Sequence, residues 1–535
     1  MAPQLPEGAV MYEVYPRSFS DSGDDGIGDL LGATQRLDYL RWLGVNLLWL
    51  TPFYPSPLAD GGYDVANYVG VDPLFGTLAD FDMLVAEATM RSMGIVVDGV
   101  FNHTSDQHQW FVDSRSSRNS PRRGWYTWRN PAPDGGPPNN WISVFGGSAW
   151  TYDETTDQYY LHSFLPQQPD LNWESPEVRQ ALQSVLRFWF GRGVMGVRVD
   201  AWDWTGKDLQ TFADDPVNPD YDPAIDHDPY HRLLHTNSTR LPRLADYLRA
   251  LEEVAQEFSG RFIVTETYPA GRAELGSEYR AIFDQYTLGL STPFVFGLMW
   301  SEFNALEVGR FVNRVQTVLR VGEVPMYVMG NHDSSRLASR VGEPAARAAA
   351  MLLLTLPGLP VIYAGDELGL VDGVILPHQV RDPAAKQHAK LGRDPGRTPI
   401  PWTVRRPKAG FTTGTPWLPI TQPSAMSVEA QLGNPRSTLQ LYRQLIAIRH
   451  TESSLERGEY GPISVSHPDV FVYVRRHRDE QVAVLLNLSG YDVRFSTLLD
   501  GGKRLLSSEL DMPASDISLR SARLRPWEGW VVRLG

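Results

Sequence analysis

Seven short apolar runs punctuate the chain: AVMYEVY (9–15), VNLLWL (45–50), GIVVDGV (94–100), VMGVRVD (194–200), RFIVTET (261–267), PMYVMGN (325–331) and LPVIYAG (359–365). Each is too short for a typical helix and most are rich in β-branched residues, the signature of parallel strands buried on both faces. Between them lie segments with apolar residues at helical spacing. LLGATQRLDYLRWLG (30–44) and LADFDMLVAEATMRSMG (78–94) each end on a glycine suited to a C-cap. Strands alternating with helices specify a parallel α/β sheet. One more strand, near AIFDQYT (281–287), would make eight and close a (β/α)8 barrel. An open doubly wound sheet is the rival, weakened because no GxGxxG follows a strand.

The alternation stops near residue 104 and resumes at SPEVRQALQSVLRFWFGRG, where Ser175-Pro176 suits a helix start. A second irregular stretch covers about 370–435, followed by a helix near 436–451. The tail then changes character: FVYVRRH (471–477) and QVAVLLNLS (481–489) are expected to be antiparallel strands. The expected architecture is an α/β TIM barrel from 1–103 and 173–455, an inserted subdomain at 104–172 and a C-terminal antiparallel β-sandwich at 456–535.

Composition narrows the function classes. The 42% hydrophobic and 21% charged residues supply a large core and exclude disorder as a class. A net charge of −14 is the reverse of a duplex-binding balance. The absence of cysteine excludes disulfides, thiolate metal sites and cysteine nucleophiles, and fits a reducing compartment. MAPQLPEGAVMYEVYP has neither a basic n-region nor an apolar h-region, and the long apolar stretch 345–365 is broken by Pro357, Gly358 and Pro360. The expectation is a cytoplasmic monomer or homodimer with no nucleic-acid or membrane partner.

The chemistry sits at strand ends. Asp98 and His103 close the run at 94–100, Arg198 and Asp200 that at 194–200, Glu266 that at 261–267, and Asn331, His332 and Asp333 that at 325–331. A TIM barrel brings all C-terminal strand ends to one face. Retaining glycosidases need two close carboxyl groups, one an ionised nucleophile and one a proton-bearing acid. Arg198 shares a strand face with Asp200 and favours its anion. Asp200 and Asp333 would raise the acid, Glu266. Each residue alone is more often a cap or a salt-bridge partner; their joint placement carries the reading.

DGVFNH (98–103), GVRVD (196–200), VTET (264–267) and GNHD (330–333), with QPDLN (168–172), resemble in order and spacing the motifs of the α-amylase superfamily, glycoside hydrolase family 13. YEVYPRSF, LWLTPFYPSP, GGYDV, TPIPW and AGDELG extend the likeness, within the oligo-1,6-glucosidase and α-glucosidase branch, over about residues 9–450. The resemblance implies Asp200 as nucleophile, Glu266 as acid/base and Asp333 as the carboxylate that grips and distorts the sugar. Asp98, His103, Arg198 and His332 would line the glucose site, and Phe145 and Phe164 its apolar walls. Asp60 and Tyr63 would hold the non-reducing end, with Arg397 pairing Asp60, so that cleavage is exo-acting. Ala201, where Val tends to accompany α-1,6 cleavage, implies an α-1,4 preference on neutral α-glucosides, unless it is simply a small packing residue. Trehalose synthase or sucrose isomerase chemistry uses the same residues, and an oligo-1,6-glucosidase is the other alternative. No cofactor is needed for catalysis. In DSGDDGIGD (21–29), Asp21, Asp25, the Ile27 carbonyl and Asp29 follow a calcium-loop pattern that implies a structural Ca²⁺ or Mg²⁺, although Gly23 replaces a usual Asn ligand. Val197, Gly99 and Thr267 also depart from the family pattern; the first two are expected to be packing changes.

Overall fold

The computed structural model describes residues 8–269, 278–387, 392–404 and 407–535; MAPQLPE, the start of the segment read as carrying no leader, lies outside them. Eight parallel strands close a barrel: Met11–Val14, Leu47–Leu50, Gly94–Gly99, Gly196–Val199, Phe262–Thr265, Ser291–Val295, Met326–Val328 and Leu359–Tyr363. Every one is buried along its whole length, as a sheet covered by helices outside and filled by side chains inside requires.

The sixth strand is not where the apolar pattern placed it. AIFDQYT falls largely in the helix Glu278–Tyr286, which buries Tyr279, Ile282, Phe283 and Tyr286, one helical stripe. The strand is STPFV, Ser291–Val295. Its Pro293 reads as a strand breaker, yet it pairs opposite Thr265 in the ladder.

The helices follow their local signals. Pro176–Gly191 starts where Ser175 accepts a hydrogen bond from the Val178 N–H, and it buries Val178, Leu182, Val185, Leu186, Trp189 and Phe190. Gly44, at φ 102°, caps Leu37–Leu43 in the left-handed region. Gly94 does not cap its helix: Leu78–Met90 ends at Arg91, and Gly94 opens the third strand.

Between the third and fourth barrel strands, Trp128–Arg129, Gln158–Leu161 and Trp150–Asp153 form a small antiparallel sheet in that order. After the barrel, a six-stranded sheet containing Val470–His477 and Glu480–Asn487 faces the pair Val493–Phe495 and Ala522–Leu524. Val472, Leu485, Phe495, Leu524 and Trp530 fill the space between them. The six-stranded sheet's other face joins the barrel core through Phe471, Tyr473 and Val484. There the buried Arg475 donates to the Thr355 carbonyl, which ends the helix Glu343–Thr355.

Among the described residues no helix is long and apolar enough to cross a membrane. Among them, too, no three His, Asp or Glu side chains gather to hold a cation, at the 21–29 loop or elsewhere. Asp21 instead accepts the Gly23, Asp24 and Gly26 N–H groups, Asp25 that of Ile27, and Asp29 caps the helix Leu30–Gln35 through Gly32. The carboxylates of Asp21, Asp25 and Asp29 thus serve the loop's own turns and the helix start, while Asp24 accepts the Thr413 N–H.

Candidate active site

The fourth and fifth strands pair with Val199 opposite Thr265, so the residues that follow, Asp200 and Glu266, emerge side by side. Both are buried, at 7% and 5% exposure. Arg198 joins them. One guanidinium nitrogen lies 2.6 Å from Asp200 and 3.4 Å from Asp98; the other lies 2.8 Å from Glu266, out of line for a hydrogen bond. Ala201, in a left-handed turn at φ 48°, donates its N–H to Glu266 at 2.7 Å. The Tyr268 hydroxyl donates to the other Glu266 oxygen at 2.5 Å. Gly99 and Val197 adjoin: a Cβ on Gly99 would meet Val197 at 2.8 Å and the Phe101 ring at 2.7 Å, in keeping with packing changes.

One guanidinium serves three buried carboxyl groups. Burial pushes Asp98 up to about 6 against Arg198, Tyr63 and Trp49. Burial also pushes Asp200 up, Arg198 opposing it and Glu266 and Asp98 adding to it. Burial thus disfavours the anions of Asp98 and Asp200, and the Arg198 guanidinium offsets it.

Asp333 and His332 follow the seventh strand. Burial works against the Asp333 anion, but His332 and the guanidiniums of Arg393 and Arg397, at 3.2 and 2.8 Å, hold it below the ordinary carboxylate range. Burial drops His332 to about 3, which leaves the guanidiniums to carry that effect at neutral pH. The tight turn at Gly61 and Gly62, with Asp64 accepting the Ala59 and Asp60 N–H groups, presents Asp60 and Tyr63 to the same face.

The expected pairing of Asp60 with Arg397 is corrected. Asp60 pairs with Arg393 at 2.6 Å, and Arg393 also binds Asp382 at 2.7 Å. Arg397 instead bridges the His332 carbonyl and Asp333. Arg393 precedes and Arg397 ends the turn Asp394–Arg397; both reach Asp333, but of the two it is Arg393 that reaches Asp60, and motif position does not reveal which.

The remaining wall comes from the insertion. Phe164 packs on His103 and Trp204 at 5.2 and 5.3 Å, and Phe145 lies 6.2 Å from Phe164 and under Arg393. Burial lowers His103. Gln168 donates to Asp60, and Asp170 meets the buried ammonium of Lys207 at 3.1 Å. All thirteen expected catalytic and substrate residues thus join one contact network. Arg393, Gln168, Lys207, Tyr268 and Glu13 were missed; of these only Gln168 lay in a quoted branch motif with its position marked, and Glu13 sits in YEVYPRSF without one.

The family profile for the alpha amylase catalytic domain matches residues 13–458. A probable alpha-glucosidase of Rhizobium meliloti (strain 1021) is 38% identical over 98% of this chain and 96% of its own length. An oligo-1,6-glucosidase of Heyndrickxia coagulans is 36% identical over 98% of both. The crystal structure of XgtA, an alpha-glucosyl transfer enzyme, superposes with a TM-score of 0.90 at 34% identity over 100% of each chain. With two neighbouring carboxyl groups on one arginine at the C-terminal mouth of the barrel, the chain belongs to the alpha-amylase family and is a glycoside hydrolase of the α-glucosidase type.

Proposed function

We propose that this chain is a retaining, exo-acting α-glucosidase that hydrolyses α-1,4-linked, maltose-like oligosaccharides. The observation that carries the reading is the pair Asp200 and Glu266 on one Arg198, at 2.6 and 2.8 Å. Glu266 protonates the leaving glycosidic oxygen while an Asp200 oxygen bonds to the anomeric carbon. Water, giving its proton back to Glu266, then releases α-glucose. Asp333 grips the sugar hydroxyls; Asp98, His103, Arg198, Tyr63 and His332 surround the ring. The Asp60–Arg393 and Arg397–Asp333 pairs support a closed far end and single-glucose release. Ala201 and Phe145 and Phe164 keep the roles the family likeness implies.

Transfer to a sugar or alcohol is the second reading. Tyr268 stacks on Phe296 at 5.0 Å and faces Trp300, itself 43% exposed, so an aromatic surface beside Glu266 is open to an acceptor. The likeness to a glucosyl transfer enzyme adds weight to it.

Product analysis by NMR, on maltose, isomaltose, sucrose and trehalose separately, tests both. Early α-glucose from maltose, with little from isomaltose, is expected. Early β-glucose overturns retention, and isomerised or lengthened sugars move the chain to transfer. Asp200→Ala should lose at least about 10⁴-fold in kcat; an active variant removes Asp200 from its role.

A further inference from the structure

His332 is held on every side. Tyr15 and Tyr63 lie near-parallel to its ring, at 5.8 and 5.4 Å and interplanar angles of 16° and 4°, and Trp49 meets it at 6.1 Å. Behind it, on the first barrel strand, lies Glu13, wholly buried. Glu13 Oε1 is 2.5 Å from His332 Nδ1 and accepts the His332 backbone N–H at 3.2 Å, while Oε2 is buried without a partner. In front, His332 Nε2 lies 2.7 Å from the Tyr63 hydroxyl and 3.2 Å from Asp333.

The protons in this chain can be counted. Tyr63 has one hydroxyl hydrogen and lies 2.8 Å from Asp98 Oδ2, which as a carboxylate only accepts. Tyr63 therefore donates to Asp98 and turns a lone pair to His332. Asp333, held as an anion by Arg393 and Arg397, also only accepts. Both neighbours of Nε2 accept, so Nε2 carries the imidazole hydrogen. A neutral ring then has a bare Nδ1, and Glu13 must supply the hydrogen between them. A protonated Glu13 also buries an uncharged carbonyl at Oε2 in place of an unpaired charge, which costs far less.

We propose that Glu13 is a positioning residue: as the carboxylic acid it donates to His332 Nδ1 and fixes the Nε2–H tautomer, which donates to a sugar hydroxyl held beside Asp333. The charged groups facing the pair are Asp333, Asp98, Arg198, Arg393 and Arg397, with Tyr15, Tyr63 and Tyr363 as the nearby phenols. Burial pushes Glu13 well above the carboxylate range and His332 down to about 3, in line with a neutral pair. The sugar contact rests on the glucosidase reading; the tautomer does not.

Two substitutions and one spectrum test it. Glu13→Met removes the donor and is expected to lower kcat/KM on p-nitrophenyl α-glucoside on the order of 10–100-fold. Glu13→Gln offers an amide N–H to Nδ1, at the cost of the long 3.2 Å bond from the His332 backbone N–H, and should restore most of that loss. In ¹⁵N-histidine-labelled protein without substrate, the His332 signal, assigned by its absence in His332→Gln, should show Nε2–H in wild type and Glu13→Gln. An Nδ1–H ring or an imidazolium in wild type, or Glu13→Gln as impaired as Glu13→Met, would make Glu13 an anion and overturn the proposal. Full activity in Glu13→Met would overturn it as well. If Glu13→Met does not fold, wild type and Glu13→Gln still decide. A wild type inactive on every α-glucoside would defeat the glucosidase reading, and the spectrum would still decide the tautomer.

Discussion

Single residues at the site were legible where a strand end fixed their direction. Asp98, Arg198, Asp200, Glu266, His332 and Asp333 needed only the alternation of strands and the parallel topology to be placed together. Partners reached through loops were not, because a long arginine chooses among carboxylates by distance, and distance is absent from a motif. Burial adds a second property invisible in composition. Asp366, after the eighth strand, is pushed up to about 7 by burial, with Arg336 opposing and Glu367 adding. The unfolded chain titrates it near about 3.9, so the folded state binds more protons and this residue's contribution to stability falls as pH rises from about 4 to about 7. Asp366→Asn removes that loss. Its unfolding free energy in urea should decline less between about pH 5 and pH 7.5 than that of wild type; equal slopes would show that Asp366 titrates normally in the fold.

Helices and strands were read with uneven success, for a physical reason. A helix on the barrel surface announces itself by its stripe and its cap. The Ser175 hydroxyl that accepts from the Val178 N–H is worth about 1 kcal/mol, and Ser175→Ala should lower stability by about that amount without changing KM. Calorimetry or denaturant titration checks it; no change would mean water replaces the cap at no cost. The sixth strand carried the weakest signal because Ser291–Val295 is short, opens on Ser and Thr and holds a proline, while the helix before it supplies an apolar stripe. Neighbouring strands decide that assignment: only a strand there completes the ladder between Phe262–Thr265 and Met326–Val328. Local preference lost to barrel closure.

At the scale of the whole molecule, the pocket wall is assembled from segments far apart in sequence. Arg393 binds Asp60, Asp382 and Asp333 at once, joining the loop after the second strand, the irregular stretch after the eighth and the seventh strand's end. Arg393→Ala strands Asp60 and Asp382 without their cation. A rise in KM for maltose on the order of 10–100-fold is expected, with a smaller change in kcat. Steady-state kinetics over a maltooligosaccharide series measures it, and an unchanged KM would remove Arg393 from the wall. The sequence by itself determined the barrel, the appended antiparallel sheets and the set of carboxylates at the barrel mouth, because hydrophobic periodicity and residue type are local and parallel topology does the rest. Only the tertiary structure decided which arginine meets Asp60, which tyrosine meets Glu266, where the sixth strand lies and that Asp21, Asp25 and Asp29 of the acidic loop at 21–29 turn their carboxylates onto nearby backbone. Those outcomes depend on distances of a few ångströms between distant segments, and on burial that sets where each proton rests.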